Sequence, residues 1–109
     1  MHDVPTITPE EAAEALREQR EGFVLLDVRE PVELTWAAVE GATCIPLQEL
    51  PERLGELDDA TEIAVLCHTG RRSHMVTAWL RHQGRAGARN VIGGIDLWSQ
   101  TVDPAIPRY

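Results

Sequence analysis

The sequence contains no lysine, only two cysteines and no long apolar run among its 109 residues. A transmembrane helix needs about 20 consecutive apolar residues, and no segment reaches that length, so we expect no membrane span. Two cysteines are too few for a disulfide scaffold, and neither belongs to a Cys-x-x-Cys pair. Residues 1–5 carry neither a basic patch nor an apolar signal segment. We therefore expect a cytoplasmic protein.

Length and charge narrow the class of protein further. A chain of 109 residues with 43% hydrophobic residues can build one packed core, and we predict a single domain over residues 1–109. The net charge is −8, and an acidic chain without a basic arm does not favour nucleic acid as a partner. The histidines and cysteines show no zinc-binding spacing, so we expect no metal site.

Short apolar runs alternate with segments of helical spacing, which is typical of an α/β domain with a mostly parallel sheet. Thr8-Pro9-Glu10-Glu11 has the form of a capping box with proline at the first helical position, and it predicts a helix there. A later helix is predicted over residues 73–83, because Ser73 suits an N-cap. Apolar spacing also favours helix over residues 47–57. The predicted strands cover residues 23–26, 43–45, 63–66 and 90–92.

One loop carries most of the chemical information, because it joins a predicted buried strand to a helix. In open α/β sheets, ligands bind beyond the carboxyl ends of the strands, where Cys67 falls. Main-chain N–H groups converge at such a junction and favour the thiolate, the reactive form of cysteine. No acidic residue lies between Glu62 and Asp96, whereas five arginines do, which predicts a site for a small anionic substrate. The loop reads Cys67-His68-Thr69-Gly70-Arg71-Arg72-Ser73.

Two more segments complete a pattern with this loop. They are Asp27-Val28-Arg29-Glu30-Pro31, followed by Glu33, and Gly93-Gly94-Ile95-Asp96-Leu97-Trp98. Together with the loop, of the form Cys-x-x-Gly-x-Arg-Ser, they resemble the rhodanese family of sulfurtransferases in order and spacing. The resemblance implies a five-stranded parallel sheet with helices on both faces and chemistry without a cofactor. It also implies that a sulfane sulfur passes from a donor such as thiosulfate to a thiophilic acceptor through a persulfide on Cys67.

The acceptor implied by the resemblance is cyanide, a small thiol or a carrier protein. The segment from Trp98 to Tyr109 is similar to rhodanese domains fused to enzymes that activate sulfur-carrier proteins, which hints at a relay role. One position departs from the family pattern: Ala38 stands where the family usually has a histidine that supports the fold near the site. We therefore expect different local hydrogen bonding there.

Each loop residue has a predicted role beside a simpler structural one. Cys67 is the predicted nucleophile and sulfur carrier, although a free cysteine is often an inert core residue. Gly70 permits the tight turn that directs N–H groups at the sulfur. Arg71 either attracts the anionic donor or is a solvated side chain. Thr69 either donates its hydroxyl to substrate or satisfies the loop backbone. His68 either assists proton transfer or, as we expect, is an exposed side chain that lines the mouth of the site.

The remaining assignments concern support of the loop. We predict that Arg72 pairs with a carboxylate of Asp27, Glu30 or Glu33, because a bidentate arginine fixes a loop well. The alternative is that Arg72 contacts the substrate directly. The predicted support residues there are Asp27, Arg29 and Glu33. Cys44 is expected to be a buried strand residue; the alternative is that it is a resolving partner for Cys67.

Two other functions compete with sulfur transfer. Related folds with Cys-x5-Arg loops act as phosphatases or arsenate reductases, but here the sixth residue after Cys67 is Ser73, and Arg72 comes one position too early. A loop shorter by one residue offers a smaller pocket, which suits a sulfur atom better than a phosphate. The second rival is a non-catalytic binding module, against which the intact loop and its cysteine argue.

Overall fold

A parallel β-sheet of five strands forms the centre of the protein, in the order β1-β5-β4-β2-β3. The structure, a computed structural model, describes residues 3–109, so the first two residues of the N-terminal segment considered above lie outside it. Every neighbouring pair of strands is parallel, which confirms the predicted fold. The strands are β1 (Thr6–Ile7), β2 (Phe23–Asp27), β3 (Thr43–Cys44), β4 (Glu62–Leu66) and β5 (Ala88–Val91).

Helices cover both faces of the sheet because consecutive strand residues point to opposite sides. Leu26 and Val65 belong to one buried cluster, whereas their neighbours Leu25 and Ala64 belong to the other. The first cluster includes residues of α3 and α4, and the second includes residues of α1 and α5. The helices are α1 (Pro9–Arg17), α2 (Pro31–Trp36), α3 (Leu50–Arg53), α4 (Arg71–His82) and α5 (Gly94–Thr101).

The helix ends show where local sequence signals decide the structure. Thr8 caps α1 through the predicted capping box: its hydroxyl accepts from the Glu11 N–H, and the Glu11 carboxylate accepts from the Thr8 N–H. The leucine-rich segment from residue 47 to residue 57 is less regular than predicted. It divides into a 3₁₀ turn (Leu47–Glu49), α3 and a second 3₁₀ turn (Leu54–Leu57), and Leu50 and Leu57 still reach the core.

The carboxyl ends of β2, β4 and β5 meet at one edge of the sheet, where three connections leave the core together. The connection after β2 leads into α2, the connection after β4 is the Cys67 loop, and the connection after β5 is the glycine pair before α5. The large apolar residues exposed in the described part of the chain also follow these strand ends or lie beside them. They are Val32, Trp36, Met75, Ile92 and Tyr109. Among residues 3–109, no helix is both long and apolar enough to cross a bilayer.

Candidate active site

The Cys67 sulfur lies at the junction between β4 and α4 and receives main-chain hydrogen bonds. The Gly70 N–H donates to Sγ at 3.1 Å and the Ser73 N–H at 3.3 Å. Gly70 can direct its N–H inward because its φ is 100°, in the left-handed region that glycine adopts without steric cost. Cys67 itself is 1% exposed, so the sulfur is buried, but among polar donors. The positive end of the α4 dipole also faces it.

Ser73 contacts the sulfur instead of capping α4. The predicted N-cap role is wrong, because the helix begins at Arg71 after Gly70 and Ser73 lies inside the first turn. Its Oγ is 3.1 Å from Cys67 Sγ and donates to Asn90 Oδ1 at 2.5 Å. The Asn90 amide in turn donates to the Gly70 carbonyl oxygen at 3.1 Å. Sequence reasoning missed Asn90, which ties the two sulfur-binding residues to β5; an asparagine within a predicted strand gives no local signal of that role.

The Gly93–Gly94 turn holds the other side of the loop. The Ile95 and Asp96 N–H groups in the first turn of α5 donate to the carbonyl oxygens of Cys67 at 2.8 Å and His68 at 3.1 Å. A Cβ atom on Gly94 would lie 2.5 Å from each of these oxygens, which is closer than real contacts allow. Because the two backbones touch here, only glycine fits.

Arg72 and Glu33 form the ion pair that connects the Cys67 loop to α2. The two terminal nitrogens of Arg72 donate to the two Glu33 oxygens at 2.7 and 2.8 Å, a bidentate geometry. Glu33 also accepts from the Glu30 N–H at 2.9 Å. These bonds, that from Arg72 first, lower the Glu33 pKa from 4.5 to about 2 against the opposing effect of burial.

Asp27 and Arg29 form a second ion pair, which lies deeper in the protein than the first. Both side chains are completely buried, and Arg29 Nη2 lies 2.7 Å from Asp27 Oδ2. All five N–H groups of the guanidinium have acceptors: the Asp27 carboxylate, the carbonyl oxygens of Glu33 and Ala37, and the Tyr109 hydroxyl. A buried charge without this set would be costly. The pair therefore fixes α2, from which Glu33 reaches the loop.

Tyr109 is the second site residue that sequence reasoning missed. Its hydroxyl accepts from Arg29 Nη1 and donates to Glu33 Oε1, each at 2.9 Å. Its ring stacks on His68 with centroids 4.0 Å apart. A residue 76 positions from Glu33 along the chain leaves no local signal for these contacts. His68 is consequently half-buried against Tyr109 and not exposed as predicted.

Two loop side chains face solvent beside this framework. Thr69 and Arg71 are exposed, and neither takes part in the ion pairs described above. Arg71 borders a surface depression of about 580 Å³ on the α4 side of the loop, lined also by Gly70, Arg72, His74 and Met75. An anion that enters this depression meets positive charge and the start of a helix.

Cys44 differs from its prediction. The residue is exposed, not buried, because β3 is a short edge strand. Cys44 and Leu66 pair with Asp27 from opposite sides, so two strand spacings, roughly 10 Å between Cα atoms, separate Cys44 from the end of β4. A disulfide needs a Cα separation below about 7 Å, so Cys44 cannot bridge to Cys67 without backbone movement.

Other contacts hold the chain at the position where the family usually has a histidine. Ala38 is exposed, and the carbonyl oxygen of the preceding Ala37 accepts from Arg29 Nη2 at 2.8 Å. The region is thus held by Arg29 and not by a histidine at residue 38. Within the described residues, no group of three His, Cys, Asp or Glu side chains is arranged to hold a metal ion.

Comparison with known proteins agrees with this architecture. The family model for the rhodanese-like domain matches residues 8–101. A sulfurtransferase of Allochromatium vinosum is 30% identical over 80 residues, which cover 73% of this chain and 75% of that protein. YrkF of Bacillus subtilis, assigned as a sulfur carrier protein, is 37% identical over 94 residues, which cover 84% of this chain and 51% of YrkF.

A solved structure is similar along most of its length as well. The human single-domain sulfurtransferase TSTD1 superposes with a TM-score of 0.72 at 29% identity, and the match covers 89% of this chain and 96% of TSTD1. By contrast, the chain spans only 51% of YrkF and only 30% and 24% of two other curated relatives. The match to the family model and the similarity to TSTD1 agree with the parallel sheet described above. The chain belongs to the family of rhodanese-like domains.

Proposed function

We propose that the protein is a sulfurtransferase in which Cys67 carries the sulfur as a persulfide. The observation that carries the proposal is the pair of N–H groups, from Gly70 and Ser73, that point at Sγ at the start of α4. These donors stabilise negative charge on a sulfur atom. The persulfide that forms when Cys67 takes up a second sulfur is also an anion. The sulfurtransferase relatives support the same chemistry.

The reaction has two halves. The Cys67 thiolate attacks the outer sulfur of thiosulfate; the new S–S bond forms as the bond to the sulfonate sulfur breaks, and sulfite leaves with the electron pair. An acceptor nucleophile then attacks the terminal persulfide sulfur and releases the Cys67 thiolate. Cyanide leaves as thiocyanate, and a thiol leaves as a persulfide. Neither half requires a cofactor.

The surrounding residues have distinct roles in this proposal. Gly70 and Ser73 stabilise the sulfur anion through their N–H groups, and the Ser73 hydroxyl contacts the same atom. Arg71 attracts the anionic donor to the depression beside the loop. Arg72 holds the loop through Glu33, and the Asp27–Arg29 pair supports Glu33 from below.

A carrier protein is a further acceptor consistent with these features. The relative YrkF is assigned as a sulfur carrier, and the exposed apolar residues around the loop, among them Trp36 and Met75, offer contact area to a protein. Small anions need no such surface. We therefore include protein thiols and carrier proteins among the proposed acceptors.

The phosphatase alternative is less favoured by the site. A tetrahedral oxyanion in a cysteine loop is held best by an arginine that directs two parallel N–H groups at it. Here the parallel N–H pair of Arg72 is directed at the Glu33 carboxylate instead. A binding module without activity would not need two N–H groups directed at a thiol.

Intact-mass spectrometry after incubation with thiosulfate tests the proposal. The wild-type chain should gain one sulfur atom that cyanide removes, with thiocyanate as the product. Cys67→Ser should gain none while it keeps its fold by circular dichroism. Cys44→Ser is the matched control, since Cys44 lies outside the site, and it should load like wild type. Loading of Cys67→Ser, or phosphatase activity without loading of the wild type, would refute the assignment.

A further inference from the structure

The Tyr109 hydroxyl joins the two ion pairs of the site. It accepts from buried Arg29 and donates to Glu33, each at 2.9 Å. Glu33 in turn holds both terminal nitrogens of Arg72. A continuous chain of charge-assisted hydrogen bonds therefore runs from Asp27 through Arg29, Tyr109 and Glu33 to Arg72, which lines the depression beside the Cys67 loop.

The rest of Tyr109 holds His68, the residue that follows the nucleophile. The two rings are nearly parallel, with an angle of 8° between their planes, and His68 Nε2 lies 2.8 Å from the Tyr109 main-chain oxygen. The Trp36 ring contacts the Tyr109 ring edge-on, at 5.3 Å between centroids. One residue thus touches the loop at His68 and supports it again through Glu33.

Contacts outside the site hold residues 106–108, which precede Tyr109, in place. Ile106 is buried, and its carbonyl oxygen accepts from the Ser99 hydroxyl at 2.5 Å. Arg108 pairs with Asp96 of α5 at 2.9 Å. These anchors lie in α5, whose first turn also donates hydrogen bonds to the Cys67 loop, so α5 fixes the position of Tyr109 relative to the site.

We propose that Tyr109 is a positioning residue, which sets the Arg72 guanidinium through Glu33 and holds His68 against the mouth of the site. The inference rests on the proposed function, since it assigns Tyr109 a part in presenting positive charge to an anionic sulfur donor. Tyr109 does not touch the reacting sulfur. Its effect passes through the carboxylate and the stacked ring.

Tyr109→Phe is the sharpest test because it removes the hydroxyl and keeps the ring that stacks on His68. Loss of the hydroxyl removes two hydrogen bonds to charged groups, one from Arg29 and one to Glu33, and should lower kcat/KM for thiosulfate about three- to tenfold, mostly through KM. Tyr109→Ala, which also removes the stack, should lower it further. Ala105→Ser, an exposed change in the same segment, should leave kcat/KM unchanged.

Alkylation of Cys67 gives a readout that does not depend on sulfur transfer. In a Cys44→Ser background, the rates with anionic iodoacetate and neutral iodoacetamide are compared by intact mass. Tyr109→Phe should lower the iodoacetate-to-iodoacetamide ratio about threefold, because Arg72 no longer holds its charge in place. A merely structural loosening of the loop would change both rates together and leave the ratio intact.

A double mutant distinguishes action through Glu33 from a general effect. If Tyr109 acts through this carboxylate, Tyr109→Phe should cause no additional loss in a Glu33→Gln background. Independent, multiplying losses in the two variants, or an unchanged ratio in Tyr109→Phe, would overturn the inference. If the wild type fails to load sulfur while the alkylation ratio still falls, the proposed function fails and the positioning role stands.

Discussion

At the scale of single residues, the site depends on groups that point at one another and not on unusual residue types. Glu33 illustrates this, because it accepts hydrogen bonds from Arg72, Glu30 and Tyr109. Glu33 is only 8% exposed, and its carboxylate remains ionised because of these donors. The Glu33–Arg72 pair therefore contributes to stability in a way that depends on pH.

Glu33→Gln should expose that dependence. The Glu33 pKa falls from 4.5 to about 2 on folding, so the stabilisation is complete above about pH 5 and is lost as the pH falls towards 2. The gain amounts to about 3 kcal/mol at most. We expect the difference in unfolding free energy between wild type and Glu33→Gln to be largest at pH 6 and to shrink by pH 3, measured by urea denaturation.

The control for this measurement is Glu52→Gln, a change at an exposed glutamate. Its unfolding free energy should follow wild type across the same pH range. A constant difference between Glu33→Gln and wild type from pH 6 to pH 3 would contradict the origin of the effect in the ionised pair.

At the scale of elements, the sequence was most informative where local rules decide the structure. The capping box at Thr8 and the apolar strands β2 and β4 were predictable, and the family pattern supplied the parallel sheet. The short helix α2 and the division of residues 47–57 into 3₁₀ turns were not predicted, because packing and not periodicity decides them. Asn90 and Tyr109 were missed because their roles arise only from contacts between distant segments.

The contact between α5 and the Cys67 loop gives an element-scale prediction. Gly94→Ala should destabilise the protein by about 2 kcal/mol or more, because the new Cβ would lie 2.5 Å from two carbonyl oxygens at a φ of 59°. It should also slow sulfur loading, since the loop must shift. Gly84→Ala is the matched control: its φ is 89°, with nothing within 4 Å of the new atom, so it carries only the conformational cost of about 1 kcal/mol. Equal losses of unfolding free energy in the two variants would show that the backbone contact is unimportant.

At the scale of the whole molecule, the charge distribution separates the site from its surroundings. The chain carries a net charge of −8, which repels small anions over most of its surface. The stretch from residue 63 to residue 95 contains no acidic side chain, and Arg71 stands exposed at the loop within it. The positive end of α4 adds to this local field.

Arg71→Glu tests whether this local field recruits the donor. It should raise KM for thiosulfate about five- to tenfold at low ionic strength, and added salt should reduce the difference from wild type. Arg17→Glu changes the net charge equally at an exposed site on α1, and it should leave KM nearly unchanged. Similar KM values in the two variants would assign the effect to net charge instead of to Arg71.

The wide separation of the two thiols limits how a loaded molecule can be discharged. Cys44 lies across β2 from the end of β4, too far for its sulfur to attack one bound at Cys67 while the sheet is intact. Under the proposed function, the transferred sulfur stays on Cys67 until a nucleophile from another molecule reaches it. The lifetime of the persulfide form is then set by the supply of that nucleophile. The protein can therefore store sulfur as well as transfer it.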